Sequence, residues 1–385
     1  MSLRLANARI VDAFGERRGD VCVEGGKITD DAPCDATVDV WGMVVTPALV
    51  DMHCHLRDPG YPLKETMESG MRAAVAGGFG TLCAMANTLP VIRTPEQVMA
   101  NEKKARALGL CTLVQAAAAG VDLKDETPTD YEALSKATRV ISNDGKTIFS
   151  DAFMRRLLEA SAQYGFIIST HCQPEREIVA RDLKLLREVG GRLHIGHISA
   201  RETLEMIENA KAEGLKLTCE VTPHHLFGFD NDYKVNPPLR HKEDVRALIG
   251  GVKRGVIDCL ATDHAPHTPE DKRAGMAGIS NFDYALGVFT RVFRENDIPL
   301  TTLSRMASYT PSGLLGTGCG RVAPGESADL LLFDPDAAWT IRKRAMRSLS
   351  HNTPFAGRRV RGRVLAVMLR GEVVYRAGEK NATDG

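Results

Sequence analysis

The 385-residue chain reads as an α/β protein: a (β/α)8 TIM barrel over residues 44–320, with a small β-sandwich domain formed by the N- and C-terminal segments, residues 1–43 and 321–385. Three observations predict this. Through the middle of the chain a short apolar run, a polar turn and a helical pattern recur. Those runs are apolar throughout, as strands covered on both faces must be. The two ends alternate apolar and polar residues instead, as strands with one wet face do.

The barrel strands are expected at Val44–Val50, Phe79–Ala84, Cys111–Ala117, Arg139–Ile141, Phe166–Ser169, Leu193–Ile195, Leu215–Val221 and Val256–Ala261. Between them Lys64–Ala76, Glu96–Leu108, Ala152–Tyr164, Glu175–Val189, Ala200–Glu213 and Glu243–Lys253 repeat apolar residues every three or four positions, the spacing of an amphipathic helix. Thr94-Pro95 and Asp151 supply helix-start signals. Strands alternating with helices in this number close into a parallel barrel; the open doubly wound alternative lacks its Gly-x-Gly-x-x-Gly turn. At the ends, Leu3-Arg4-Leu5 and Val21-Cys22-Val23-Glu24 alternate ahead of a Gly25-Gly26 turn, and Asp329–Asp334, Val364–Leu369 and Val373–Tyr375 follow suit. Two β-rich tails on one barrel are expected to pair, with the chain ends close together.

Basic and acidic residues balance at 49 each, which argues against a nucleic-acid or membrane partner held by bulk charge and favours small-molecule chemistry. The nine cysteines are odd in number and show no Cys-x-x-Cys spacing. Cys54, Cys83, Cys111, Cys172, Cys219 and Cys259 lie in apolar runs and read as reduced core residues. Met1–Ile10 has no secretory signal pattern and no apolar run reaches membrane-span length, so a cytoplasmic location is expected.

Barrel enzymes work at the C-terminal ends of their strands. The first strand ends in Asp51-Met52-His53-Cys54-His55, and residues two apart in an extended segment share a side, so His53 and His55 can approach one metal. The fourth ends in Asn143-Asp144-Gly145, the fifth in His171, the sixth in His197, and the eighth in Asp263, followed by His264 and His267. A lone histidine is more often structural, and a lone His-x-His is a common accident. Four imidazoles and two carboxylates in register with strand ends are a metal site. The donors suit zinc, with manganese or iron as alternatives. They exceed what one tetrahedral catalytic zinc with an open position takes, and suit two metals about 3.5–4 Å apart sharing a hydroxide, with Asp144 as a bridging carboxylate.

Asp51-Met52-His53-Cys54-His55-Leu56-Arg57-Asp58-Pro59-Gly60, with Lys64-Glu65 and Ser69-Gly70, closely resembles the dihydroorotase signature. Met85-Ala86-Asn87-Thr88, Glu220–His225, Asn236–Arg240, Ala261–His267 and Asn352-Thr353-Pro354-Phe355 resemble further blocks of that family, in its order and over nearly the whole chain. The pattern is most similar to the class I bacterial and archaeal type of dihydroorotase, within the amidohydrolase superfamily. The resemblance implies His53, His55 and Asp263 on one Zn2+, His171 and His197 on a second, and Asp144 between them. It implies Arg57, Asn87 and His267 on the substrate carboxylate and Asn236 facing the ring. The implied reaction is reversible hydrolysis of dihydroorotate to carbamoyl aspartate, with Asp263 as general acid and base to a bridging hydroxide. A homodimer and a complex with aspartate transcarbamoylase stay open. The rival readings are another cyclic amidase (allantoinase or dihydropyrimidinase) and a non-catalytic scaffold of aspartate transcarbamoylase, which would lose metal ligands.

Some positions depart from the family pattern. No lysine stands at the fourth strand end to serve as a carboxylated bridge; Lys146 lies two residues past Asp144. Asn143 stands where a second aspartate is common, Ala86 replaces a proline, and Ala48 replaces a glycine. His224 and His225 are open between the barrel mouth and packing, His194 reads as structural, and His241 and His351 as surface. Met52, Met67, Met71, Met85 and Met99 read as core filler. Glu175, Arg176, Glu177 and the stretch Arg181–Glu188 read as a solvated helix face. The loop Thr268–Ser280 is a candidate lid or substrate wall, and Asp122–Asp130 reads as a surface loop.

Overall fold

The computed structural model describes residues 2–30 and 33–378. The N-terminal segment forms β1 (Leu3–Asp12), β2 (Gly15–Glu24), β3 (Lys27–Thr29), β4 (Ala36–Asp39) and β5 (Val44–Pro47). The barrel strands are β6 (Leu49–Cys54), β7 (Phe79–Ala84), β8 (Thr112–Gln115), β9 (Val140–Ile141), β10 (Ile167–Thr170), β11 (Leu193–Ile195), β12 (Leu217–Val221) and β13 (Cys259–Leu260). The C-terminal segment adds β14 (Leu330–Thr340), β15 (Arg359–Leu369) and β16 (Glu372–Arg376).

Strands β6 to β8 and β9 to β13 form two parallel arcs, each ordered by sequence. Two short parallel bridges, Ala117 to Ile141 and Cys54 to His264, join the arcs into a closed cylinder. Buried Asp51 clasps the second seam: its carboxylate accepts the Thr262 amide at 2.9 Å, the Thr262 hydroxyl at 2.6 Å and the His53 amide at 3.1 Å. Burial outweighs these bonds and pushes the Asp51 carboxyl up to about 7. Val50, Met52, Cys83, Met85, Ala116, Val140, Cys259 and Ala261 fill the cylinder as a packed core.

The run read as one strand, Val44–Val50, is two. At Ala48 the ladder changes partner: its amide donates to Asp329 O, and the Leu49 amide to Gly78 O. β5 therefore pairs antiparallel with β14 and parallel with β1, while β6 enters the barrel. Through β5 the two tails become one hydrogen-bonded network, ordered β16-β15-β14-β5-β1-β2-β3 with β4 on β1. Its own small core holds Leu5, Ile10, Val21, Val23, Val45, Leu330 and Met368.

The six expected helices are present to within a few residues, at Met67–Ala76, Pro95–Leu108, Asp151–Tyr164, Glu175–Val189, Arg201–Ala212 and Lys242–Arg254. Thr94 caps the second in a reciprocal box with Gln97; Ser150, not Asp151, caps the third. A further helix, Ala285–Glu295, was not among those expected; it buries most of its residues and leaves Arg291, Arg294 and Glu295 as its polar side. Met99 is 54% exposed and so is no core filler. Glu175 and Asp182 are buried rather than solvated. Glu175 accepts from the Ser199 amide and hydroxyl, the Ala200 amide and Arg240, so it pins the loop after β11. No helix among the described residues is long and apolar enough to cross a membrane.

Candidate active site

The C-terminal strand ends bring together every residue read as a metal ligand. Asp144 sits at the centre. Its Oδ1 lies 3.2 Å from His53 Nε2, 3.4 Å from His171 Nδ1 and 3.6 Å from His197 Nε2, and its Oδ2 lies 3.2 Å from His55 Nε2. Asp263 Oδ1 stands 3.1 Å from His55 Nε2 and 3.7 Å from His53 Nε2. Two groups of donors, His53-His55-Asp144 and Asp144-His171-His197, share Asp144. Lys146 lines the cavity beside them. His197 and Asp263 hold left-handed backbone at φ 34° and 44°. Such strain is kept where the surroundings impose it, and functional sites are the usual place.

The outer partners show which ring nitrogens face inward. Glu220, fully buried at the end of β12, accepts from His53 Nδ1 at 2.7 Å, from His194 Nε2 at 3.0 Å and from the His197 amide at 3.2 Å. Asn87 Oδ1 accepts from His55 Nδ1 at 2.9 Å. A neutral imidazole that donates through Nδ1 has its lone pair on Nε2. When neutral, His53 and His55 therefore aim lone pairs at the Asp144 carboxylate, an electron-rich pairing that a metal cation relieves, as a proton on His53 would. His53 Nε2 and Asp144 Oδ1 are both buried without a hydrogen-bond partner. Donors at zinc bond lengths in a tetrahedral shell stand about 3.4 Å apart, which matches these separations. The residues fit a metal centre, and Asp144 belongs to both groups of donors.

Burial raises the Asp263 carboxyl, but the His55 hydrogen bond and the neighbouring imidazoles outweigh it and hold the group below the carboxylate range. Glu220 is likewise held low, at about 2, because His53 and His194 more than offset its burial. A bound cation favours these ionised carboxylates and keeps its imidazole ligands neutral.

The cavity above the cluster has a volume of about 620 Å3. Arg57, Asn87, Asn236 and His267 all line it, together with Lys64, Asp122, Leu123 and Met276–Gly278. The loop Asp122–Asp130 is thus not only surface, and the loop Thr268–Ser280 contributes wall. Arg57 donates through Nε to Pro266 O at 3.2 Å, and its Nη2 lies 3.3 Å from His267 Nε2. Burial, then the charges of Arg57 and Lys64, push the His267 imidazole down to about 3, so it is neutral near pH 7.

The remaining family-like blocks support this wall. Asn352 Oδ1 accepts the His267 amide at 3.0 Å and the Ser280 hydroxyl at 2.7 Å, while its Nδ2 donates to Gly278 O. His225 bridges Thr222 Oγ1 at 2.8 Å and Pro237 O at 3.0 Å, which sets the loop bearing Asn236. His224 packs against His225 and Asn281. His241 pairs with Asp230 at the surface. Asn143 Oδ1 accepts the Ala119 and Gly120 amides, both at 3.0 Å. Sequence reasoning assigned no role to Glu220 or Lys64; the only signal for Glu220 was an acid inside an otherwise apolar barrel strand, at the end where the other site residues lie.

The amidohydrolase family pattern matches residues 44–374. This chain belongs to the amidohydrolase family. Among curated relatives of this amidohydrolase, a dihydroorotase of Aquifex aeolicus (strain VF5) is 35% identical, over 98% of this chain and 100% of that protein. A dihydroorotase of Clostridium botulinum (strain Eklund 17B / Type B) is 34% identical, over 98% of this chain and 100% of that one. Of solved structures, an L-hydantoinase (dihydropyrimidinase) from Arthrobacter aurescens superposes with a TM-score of 0.89 at 24% identity, covering 98% of this chain and 96% of that one. A dihydropyrimidinase from Brevibacillus agri NCHU1002 gives 0.87 at 21% identity, covering 98% and 95%. At these identities the structures speak for the fold, a barrel hydrolase with a β-rich addition.

Proposed function

We propose that this amidohydrolase is a dihydroorotase, opening the ring of dihydroorotate to N-carbamoyl-L-aspartate and closing it in reverse. The observation that carries this is the pairing of two features in one cavity: a cluster of donors able to hold metal, with Asp263 beside it, and, across from it, a cationic wall formed by Arg57 beside neutral His267. A neutral cyclic amide has no use for that wall; a ring bearing a carboxylate does. The full-length likeness to dihydroorotases supports the same choice over allantoinase or dihydropyrimidinase. The complete donor set supports an enzyme over a metal-free scaffold.

His53, His55 and Asp263 would hold one divalent ion, His171 and His197 a second, with Asp144 between them. The donor chemistry favours zinc. Bound there, the ions would supply a hydroxide nucleophile at neutral pH and polarise the scissile carbonyl. Asp263, ionised and beside His55, is placed to accept the proton released as water attacks and to return it to the departing ring nitrogen. Arg57 offers a planar fork to the substrate carboxylate and holds the ring by a part that does not react. Asn236, exposed on the cavity lip, faces the ring. Glu220 and Asn87 keep the ligand imidazoles in their tautomers. Seven of the nine cysteines are buried free thiols, which accords with a cytoplasmic enzyme.

The test is a zinc-loaded preparation assayed with dihydroorotate and carbamoyl aspartate, with allantoin and dihydrouracil as controls. Turnover of the first pair is the expected result. Turnover confined to the neutral rings would replace this reading with that of the other cyclic amidases.

A further inference from the structure

Behind Arg57, four groups from two connecting segments, those after β6 and β13, form a chain of contacts. Arg57 Nη2 lies 3.3 Å from His267 Nε2. On the other edge of the ring, His267 Nδ1 lies 3.4 Å from Asp271 Oδ2 and 3.4 Å from Lys64 Nζ, while Lys64 Nζ pairs with Asp271 Oδ2 at 3.2 Å. The hydrogens can be assigned by elimination. A guanidinium only donates, so His267 Nε2 must accept. A neutral imidazole with its lone pair on Nε2 carries its proton on Nδ1, and the acceptor there is the Asp271 carboxylate, since an ammonium accepts nothing. Lys64 then bonds Asp271 and stays within reach of the cavity.

Flipping this tautomer would set an Nε2–H against the guanidinium, donor against donor, and push Arg57 off its aim. We propose that Asp271 and Lys64 are positioning residues that fix the tautomer of His267 and thereby aim Arg57 at the carboxylate of the substrate. This rests on the dihydroorotase reading of the cavity. Asp271 is the third residue of a single helical turn, Pro269–Arg273, closed by a capping box with Thr268. Lys272 of the same turn donates to Lys234 O at 2.9 Å, Met276 O at 2.8 Å and Gly278 O at 2.9 Å, so it fastens the turn to the cavity wall. Docking of this turn and alignment of the carboxylate clamp are thus one structural event. The Lys64 and Asp271 side chains keep 19% and 25% of their exposure, so either can be hydrated when its partner is replaced, and circular dichroism checks that each variant is folded.

The experiment compares wild type with Lys64→Met, Lys64→Arg and Asp271→Asn, all zinc-loaded. Expected are a KM for dihydroorotate raised about tenfold in Lys64→Met and Asp271→Asn, kcat within about threefold, unchanged metal content, and a KM near wild type in Lys64→Arg, which restores the partner of Asp271. Nitrogen-15 spectra of histidine-labelled protein should show His267 protonated at Nδ1 in wild type and mixed in Asp271→Asn. Wild-type KM in both Lys64→Met and Asp271→Asn, or a wild-type His267 protonated at Nε2, would overturn the proposal while leaving the dihydroorotase reading intact. A wild type inert toward dihydroorotate would overturn that reading, and the proposal with it.

Discussion

Glu220→Gln isolates the contribution of a residue that touches neither metal nor substrate. The native carboxylate accepts three hydrogen bonds, from His53, His194 and the His197 amide, and is fully buried. Glutamine keeps the shape and one oxygen, which can still face His53 and the His197 amide. Its amide NH2 must face His194, which can turn its tautomer and donate to Thr218 Oγ1, now 2.8 Å from its Nδ1. The barrel should therefore survive. What disappears is the negative charge that makes the His53 ring a stronger donor to metal. Loss of such a partner lowers metal affinity about 10- to 100-fold, or about 1.4–2.7 kcal/mol. Competition with a chromogenic chelator measures this directly, with circular dichroism as the check on folding. A folded Glu220→Gln enzyme that binds zinc as tightly as wild type would refute the argument that the carboxylate tunes His53.

Three more outcomes follow from the geometry. Asp263→Asn should retain the fold, seen by circular dichroism, and lose at least about 100-fold in kcat, the worth of a positioned proton acceptor; near-wild-type kcat would remove its proton-transfer role. Arg57→Lys should raise the KM for dihydroorotate about tenfold or more while zinc content stays constant, since a lysine cannot present a planar fork; an unchanged KM would count against the carboxylate clamp. Asp283 is half-buried against the Arg347 and Ser348 amides, and its carboxyl is pushed up to about 7, by burial first. A carboxyl raised in the fold contributes stability that is complete below the unfolded value near 4 and lost as pH rises through about 7. Asp283→Asn should flatten that slope in urea titrations run across pH 5 to 9; parallel pH profiles for the two proteins would rule out this ionisation.

The barrel was legible in the sequence because strands covered on both faces must be apolar throughout and amphipathic helices must keep a stripe; both are local demands that each segment records by itself. The convergence of the site was legible for a related reason: fold class says that strand ends meet, so His53, His55, Asp144, His171, His197 and Asp263 could be expected together without coordinates. The break at Ala48 was not legible, because an apolar run looks the same whether its ladder partner is β14 or β7. Glu175 and Asp182 read as solvated since a charge pattern cannot reveal that a loop folds down to bury them. The tautomers set by Glu220 and Asn87, and the contacts among Arg57, His267, Asp271 and Lys64, join residues as far as 210 positions apart. No local pattern encodes which atom of one side chain meets which atom of another at that separation; only closing the cylinder and seating the loops on its rim decides it.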